Sequence, residues 1–242
     1  MTDNTTALVT GANKGIGYEV AARLAELGMT VLLGSRDRER GERAAEKLRA
    51  AGGDVRCVVL DVTDPGSIER VAAALTRLDV LVNNAGVAGP IGLEPSRTPA
   101  RALREVLETN VVGVLMVTNA MLPLLRRSPA PRIVNVSSGV GSLAHHTDPG
   151  HYMAALAPSA TYPVSKTALN QLTVQYAKEL RGSGVLVNAV APGPCATDLT
   201  KDLPFPVTRT AAEGAEIVVR MATLPPDGPT GGFYAESGPM PW

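Results

Sequence analysis

The stretch Ala7-Leu8-Val9-Thr10-Gly11-Ala12-Asn13-Lys14-Gly15-Ile16-Gly17 decides the fold: a short aliphatic run breaks into a glycine-rich turn and opens an amphipathic segment. Beyond the turn Val20, Ala21, Leu24 and Leu27 recur at helical spacing. A strand, a glycine turn and a helix in that order bring bare backbone N–H groups and the positive end of a helix dipole to one point, where a pyrophosphate can be held. The order carries the reading, because a glycine-rich turn alone is a weak signal.

Outward from that stretch, short aliphatic and β-branched runs alternate with helix-like segments, the signature of a parallel sheet built from βαβ units. Strands are expected at 7–10, 31–34, 55–61, 80–83, 133–137 and 185–191, with a last one near 232–235. Helices are expected at 17–27, 38–50, 68–78, 101–125, 165–180 and 211–222, the third headed by Asp64 as N-cap. The expected fold is α/β: a single-domain Rossmann fold over 1–242, with a doubly wound parallel sheet of about seven strands flanked by helices. No internal repeat or low-complexity linker divides the sequence. The irregular segment 139–161 and the Pro/Gly-rich segments 204–209 and 225–242 read as loops near a ligand site.

The 242 residues balance 23 Lys+Arg against 23 Asp+Glu and are 45% apolar, with no basic stripe interleaved with aromatics. Such a chain is expected to bury a sizeable core and offers no electrostatic footprint for nucleic acid or an anionic membrane. Its start lacks the basic region of a signal peptide, and no apolar stretch reads as approaching the ~20 residues of a membrane span. Cys57 and Cys195 lie far apart and outside any Cys-x-x-Cys pair, so both are expected to be free thiols and the expected location is cytoplasmic.

The glycines are spaced Gly-x-x-x-Gly-x-Gly rather than Gly-x-Gly-x-x-Gly. Asp61-Val62 closes the third expected strand, Asn83-Asn84-Ala85-Gly86 follows the fourth, and Asn110 lies in the long helix. Ser137-Ser138 ends the fifth strand, Tyr162-Pro163-Val164-Ser165-Lys166 opens the next helix, and Pro192-Gly193-Pro194-Cys195-Ala196-Thr197 follows the sixth strand. With these motifs in register, the chain resembles the short-chain dehydrogenase/reductase family, and its glycine turn resembles that of the carbonyl reductase branch. The resemblance implies a dinucleotide met by Gly11, Asn13, Lys14, Gly15, Ile16 and Gly17 at the pyrophosphate and by Asp61 and Val62 at the adenine. Asn84, Ala85 and Gly86 would lie beside it, and Pro192, Gly193, Cys195 and Thr197 would cradle the nicotinamide carboxamide. Cys195 departs from the family's usual Val or Ile and reads as a small packing residue.

Charge after the second strand bears on which dinucleotide is used. A ribose 2′-hydroxyl is met there by an acid, a 2′-phosphate by cations. In Gly34-Ser35-Arg36-Asp37-Arg38-Glu39-Arg40, Ser35 stands where NAD-dependent members carry Asp, so Arg36 and Arg40, with Lys14, are expected to meet the phosphate of NADP(H). In the other reading Asp37 meets a hydroxyl and the arginines merely begin a solvated helix.

Tyr162 and Lys166 are four residues apart and share a helix face. A free tyrosine titrates near ~10, and a neighbouring ammonium is expected to lower that value. The resemblance implies Tyr162 as general acid, Ser138 as a hydrogen-bond partner of the carbonyl oxygen, Lys166 at the nicotinamide ribose, and Asn110 supporting a water that leads to Lys166. Tyr152 stands nearer the family's usual Ser-to-Tyr interval, but position 156 is Leu, whereas Tyr162 has its Lys. The interval from Ser138 to Tyr162 is therefore stretched to 24 residues. Alternation along 133–137 does not choose between Ser137 and Ser138; the resemblance favours Ser138.

The extra residues at 139–161 hold all three histidines, His145, His146 and His151, whose spacing matches no standard zinc site, so no metal is expected. Met153, Leu156, Leu199, Leu203 and Phe205 are candidates for an apolar substrate pocket. The family branch implies reduction of a bulky aromatic or polycyclic ketone or quinone. An Arg-over-Lys bias typical of GC-rich bacterial genes points to polyketide tailoring. The expected partner is a small-molecule carbonyl compound, and monomer, dimer and tetramer all remain open. A catalytically silent NADP-binding sensor, or an alcohol dehydrogenase working oxidatively, are the alternatives.

Overall fold

The computed structural model describes residues 5–242. The first half of the chain forms β1 (Thr6–Val9), α1 (Gly15–Glu26), β2 (Thr30–Ser35), α2 (Arg38–Ala50), β3 (Val55–Val59), α3 (Pro65–Ala74), β4 (Val80–Asn83), α4 (Ala100–Leu107) and α5 (Gly113–Leu125). The second half adds β5 (Arg132–Val136), α6 (Leu143–Thr147), α7 (Tyr162–Glu179), β6 (Leu186–Ala191), α8 (Ala211–Ala222), β7 (Phe233–Ala235) and β8 (Gly238–Pro239).

The strands make one sheet in the order β3-β2-β1-β4-β5-β6-β7-β8, with seven parallel strands and an antiparallel β8 paired Ala235↔Gly238. This short return strand makes the count eight rather than about seven; two residues carry no readable period. Every residue of β2, β4, β5 and β6 is buried, polar ones included, which is why these strands are rich in aliphatic residues and show no alternation with exposed positions. Alternation sorts side chains to two faces: Ala7, Val9, Val31 and Leu33 pack under α1, α2 and α8, while Leu8, Leu32, Leu81 and Ile133 pack under α3, α5 and α7. The chain passes from β3 back across β1 to β4, so the order reverses beside β1 and a crevice opens beyond the carboxyl ends of β1 and β4.

Three expected helices depart from their spans by about a turn or are interrupted. Asp64 does cap α3 through the Gly66 N–H (3.0 Å), but the helix stops at Ala74 because Leu75 is extended and the chain descends into β4. The expected helix at 101–125 is broken by a π turn at Glu108–Val112. The helix expected from 165 begins a turn earlier, at Tyr162, with Pro163 in the first turn where no N–H is needed.

Contrary to the sequence reading, the run Ala100–Leu125 has the length and apolarity of a membrane span. In this fold it is a layer helix: Val117, Met121, Leu124 and Leu125 join the core under the sheet.

Candidate active site

The glycine turn is locked to the end of β4 before any ligand is considered. Thr10 Oγ1 accepts from the N–H groups of Asn84 (2.9 Å) and Ala85 (3.0 Å), and Asn84 Nδ2 donates to the carbonyls of Thr10 (2.8 Å) and Gly11 (3.2 Å). Gly11 has φ +63°, and a Cβ there would lie 2.9 Å from Ala85 Cα. A Cβ on Gly17 would lie 2.3 Å from Asn84 Nδ2, so this glycine is required by the Asn84 side chain itself. Asn84, expected beside the dinucleotide, thus spends its amide on the loop. At the start of α1, Lys14 gives no side-chain cap and no acid stands in the first turn. The first N–H groups of the helix therefore lack a side-chain acceptor and face a cavity of about 790 Å³, an arrangement that fits a phosphate.

At one end of this cavity lie Arg36, Asp61 and Val62. Burial pushes the Asp61 carboxyl up, but hydrogen bonds from Thr63 N–H (2.9 Å) and Oγ1 (2.7 Å), with Arg36 nearby, outweigh it and hold the group below its ordinary value. Ser35 is buried and donates to the Asp37 carbonyl (2.8 Å). Asp37 caps α2 through the Arg40 N–H (3.0 Å) and pairs with Arg40 Nε (3.3 Å). Arg40 is not brought to the cavity wall, in contrast to Arg36 and Lys14. Lys14 pairs with Asp198, so the glycine turn and the loop after β6 meet across the cavity mouth.

At the other end stand Ser138, Tyr162 and Lys166. The Ser137 hydroxyl is committed to Asn170 Oδ1 (2.6 Å), while Ser138 acts on the Tyr162 phenol, so the partner of Ser137 separates the two serines that alternation could not. Lys166 is 4% exposed; its Nζ donates to the Val136 carbonyl (2.8 Å) and lies 5.4 Å from the Tyr162 ring centre. Burial pushes Tyr162 up to about 12, opposed by the Ser138 hydrogen bond, and pushes Lys166 down to about 8. The expected lowering of Tyr162 by its lysine is therefore reversed: desolvation of the phenol dominates. Tyr152, the competing candidate, is exposed and leans on His151 (ring centres 4.7 Å).

Asn110 sits in the π turn, completely buried, between Val87 and Ser165. Its Oδ1 accepts from Val87 N–H (2.9 Å), and its Nδ2 donates to the Val87 carbonyl (2.9 Å) and Ser165 Oγ (3.0 Å). The side chain thus ties the segment after β4 to α7, and Thr109, not Asn110, reaches the cavity wall. A Cβ on Gly86 would lie 3.3 Å from Asn110 Oδ1 and 3.8 Å from Lys166 Nζ, so Gly86 leaves both groups room.

The loop after β6 supplies Pro192, Gly193, Cys195 and Thr197 to the wall, with Asn13, Gly15 and Ile16 opposite. Cys195 is buried against Gly214 of α8, and burial raises its thiol. Asp198 and Thr200, which the sequence left unassigned, also line the cavity; no motif flagged them. Of the pocket candidates, Leu199 lines this cavity, while Leu203 and Phe205 line an adjoining groove of about 720 Å³. Met153 and Leu156 line neither: Met153 is buried beneath Gly139, and Leu156 is exposed. None of the three histidines reaches the cavity. His145 stacks on His151 (3.9 Å), and His146 Nε2 lies 3.1 Å from the Val140 carbonyl.

A doubly wound sheet whose switch-point cavity joins a glycine-rich helix start to a Ser–Tyr–Lys cluster defines a Rossmann-type oxidoreductase. The chain belongs to the short-chain dehydrogenase/reductase family, in its carbonyl reductase-like branch, and the short chain dehydrogenase model matches residues 5–205. It is 34% identical to carbonyl reductase [NADPH] 1 of Mus musculus, with 98% of each chain covered. Among solved structures, NADPH-bound carbonyl reductase from chicken fatty liver superposes with a TM-score of 0.85 at 28% identity, covering 99% of each chain. Salutaridine reductase from Papaver somniferum gives 0.82 at 32% identity, covering 96% of this chain and 100% of that one.

Proposed function

We propose that this protein is an NADPH-dependent ketoreductase that reduces a bulky, apolar ketone or quinone. The observation that carries the reading is the grouping of Ser138, Tyr162 and Lys166, with Lys166 Nζ 5.4 Å from the Tyr162 ring centre, at the end of a cavity that begins at the bare N-terminus of α1. Arg36 and Lys14 would hold a 2′-phosphate, with Arg40 a turn further out. The glycine turn would hold the pyrophosphate, Asp61 and Val62 the adenine, and the loop carrying Pro192, Gly193, Cys195 and Thr197 the carboxamide. The similarity to carbonyl reductase [NADPH] 1 and to the NADPH-bound chicken carbonyl reductase supports this choice.

When bound, the coenzyme supplies the hydride. Tyr162 Oη gives a proton to the carbonyl oxygen, and Ser138 Oγ holds that oxygen in reach. With its phenol pushed up to about 12 by burial, Tyr162 is protonated at neutral pH and so holds the proton that reduction consumes. Lys166 stays cationic below its value of about 8 and supports the ribose hydroxyls. Asn110 fixes the backbone between Gly86 and α7. Leu199, with Leu203 and Phe205 in the adjoining groove, gives the substrate side its apolar character.

The test is consumption of NADPH with quinones, aromatic ketones and simple aldehydes, beside the Tyr162→Phe variant. Turnover is expected with the bulky carbonyls and not with the variant, which still binds NADPH. No turnover with any of them, or tighter use of NADH, overturns the proposal.

A further inference from the structure

The residues that stretch the Ser–Tyr interval do not form a pocket wall, and their packing gives them another task. Ser138 is followed by Gly139, which starts a short 3₁₀ turn at Gly139–Gly141, with the Gly141 N–H bonded to the Ser138 carbonyl (2.9 Å). One side of this turn is held by α7: Thr167 Oγ1 and Asn170 Nδ2 both donate to the Gly141 carbonyl at 3.1 Å. The other side is held by sulfur side chains. The terminal methyl of Met153 lies 2.6 Å from where a Gly139 Cβ would stand, and that of Met240 lies 3.8 Å from it.

Met153 is delivered there by a built structure. His151 caps the turn Tyr152–Ala155, its Nδ1 accepting from the Met153 N–H (3.3 Å), and the His151 ring stacks on His145 of α6. The start of α6 is bonded through the Ala144 N–H to the Trp242 carbonyl (3.0 Å), and the Trp242 ring stacks on Phe233 of β7 (5.4 Å). The insertion and the tail thus converge on the glycine next to Ser138.

We propose that Met153 is a positioning residue for the reduction: its side chain fills the volume a Gly139 side chain would take and seats the Ser138 backbone, so that Oγ meets Tyr162. This rests on the role proposed above for Ser138. Close packing transmits small displacements, and an error of about 1 Å in a catalytic group can cost up to ~10²-fold in rate.

The experiment is a double-mutant cycle on the full chain. Met153→Ala is expected to lower kcat about tenfold with unchanged NADPH affinity and a larger solvent deuterium isotope effect, while Met153→Leu stays near wild type. Gly139→Ala alone pushes the methionine aside and lowers kcat, yet in the Met153→Ala background the added methyl fills the vacated space and restores most of the rate. Additive losses without rescue, or an unchanged isotope effect in Met153→Ala, overturn the positioning role. Should Met153→Ala fail to fold, Gly139→Ala decides alone: wild-type kcat and isotope effect would overturn the role. An active Ser138→Ala variant would instead overturn the underlying reading.

Discussion

In the proposed function, coenzyme choice turns on Arg36, which lines the cavity, whereas Lys14 is ion-paired with Asp198 and Arg40 with Asp37. A charge-assisted hydrogen bond is worth ~1.5–3 kcal/mol, and each 1.4 kcal/mol is about tenfold. Arg36→Ala is therefore expected to raise KM for NADPH by about ten- to a hundredfold and to leave that for NADH unchanged, as steady-state kinetics with both coenzymes would read. The pH profile follows from Lys166. With its ammonium lost above about 8 while Tyr162 stays protonated to about 12, kcat/KM for reduction is expected to be flat near neutrality and to fall as pH climbs through about 8. A profile flat beyond pH 10 would assign no role to the lysine charge. In the sequence Tyr162 is singled out by its lysine, while Ser138 is favoured over Ser137 by the resemblance alone; the structure adds the commitment of Ser137 to Asn170. The phenol's upward shift was illegible, because four-residue spacing reports proximity and says nothing of burial.

At the scale of elements, α8 approaches the cavity loop closely. A Cβ on Gly214 would lie 2.4 Å from Cys195 Sγ, so the small thiol lets the helix sit against the loop. Cys195→Ile, which restores a side chain common in the family, overpacks this joint. It is expected to cost ~1–3 kcal/mol, visible as a lower Tm, and to raise KM for the coenzyme. The buried thiol should resist alkylation in the folded protein. Buried strands and the α2 and α8 spans were readable from pattern. The π turn at Glu108–Val112 was not, because its apolar residues fit an unbroken helix; what opens it is the tertiary placement of Asn110 between Val87 and Ser165. Likewise, the insertion's small turns lack period, and only their contacts reveal their use.

For the whole molecule, the sheet order puts every motif at one edge, which is why fold and site were read together from the succession of strands. Side chains that reach across the edge were the part hidden from sequence, Asp198 foremost. Its pairing with Lys14 joins residues separated by 184 positions. The cavity mouth is consequently made by one of the first turns of the chain and one of its last loops, and it cannot exist until both have docked. During synthesis the coenzyme has its complete binding surface only after residues beyond β6 have folded. Saturating NADP⁺ should then stabilise the finished chain selectively, by about 2.7 kcal/mol at a hundred times Kd, and a chain stopped before β6 should show no such gain. Ligand occupancy becomes a molecular record that folding has reached its end.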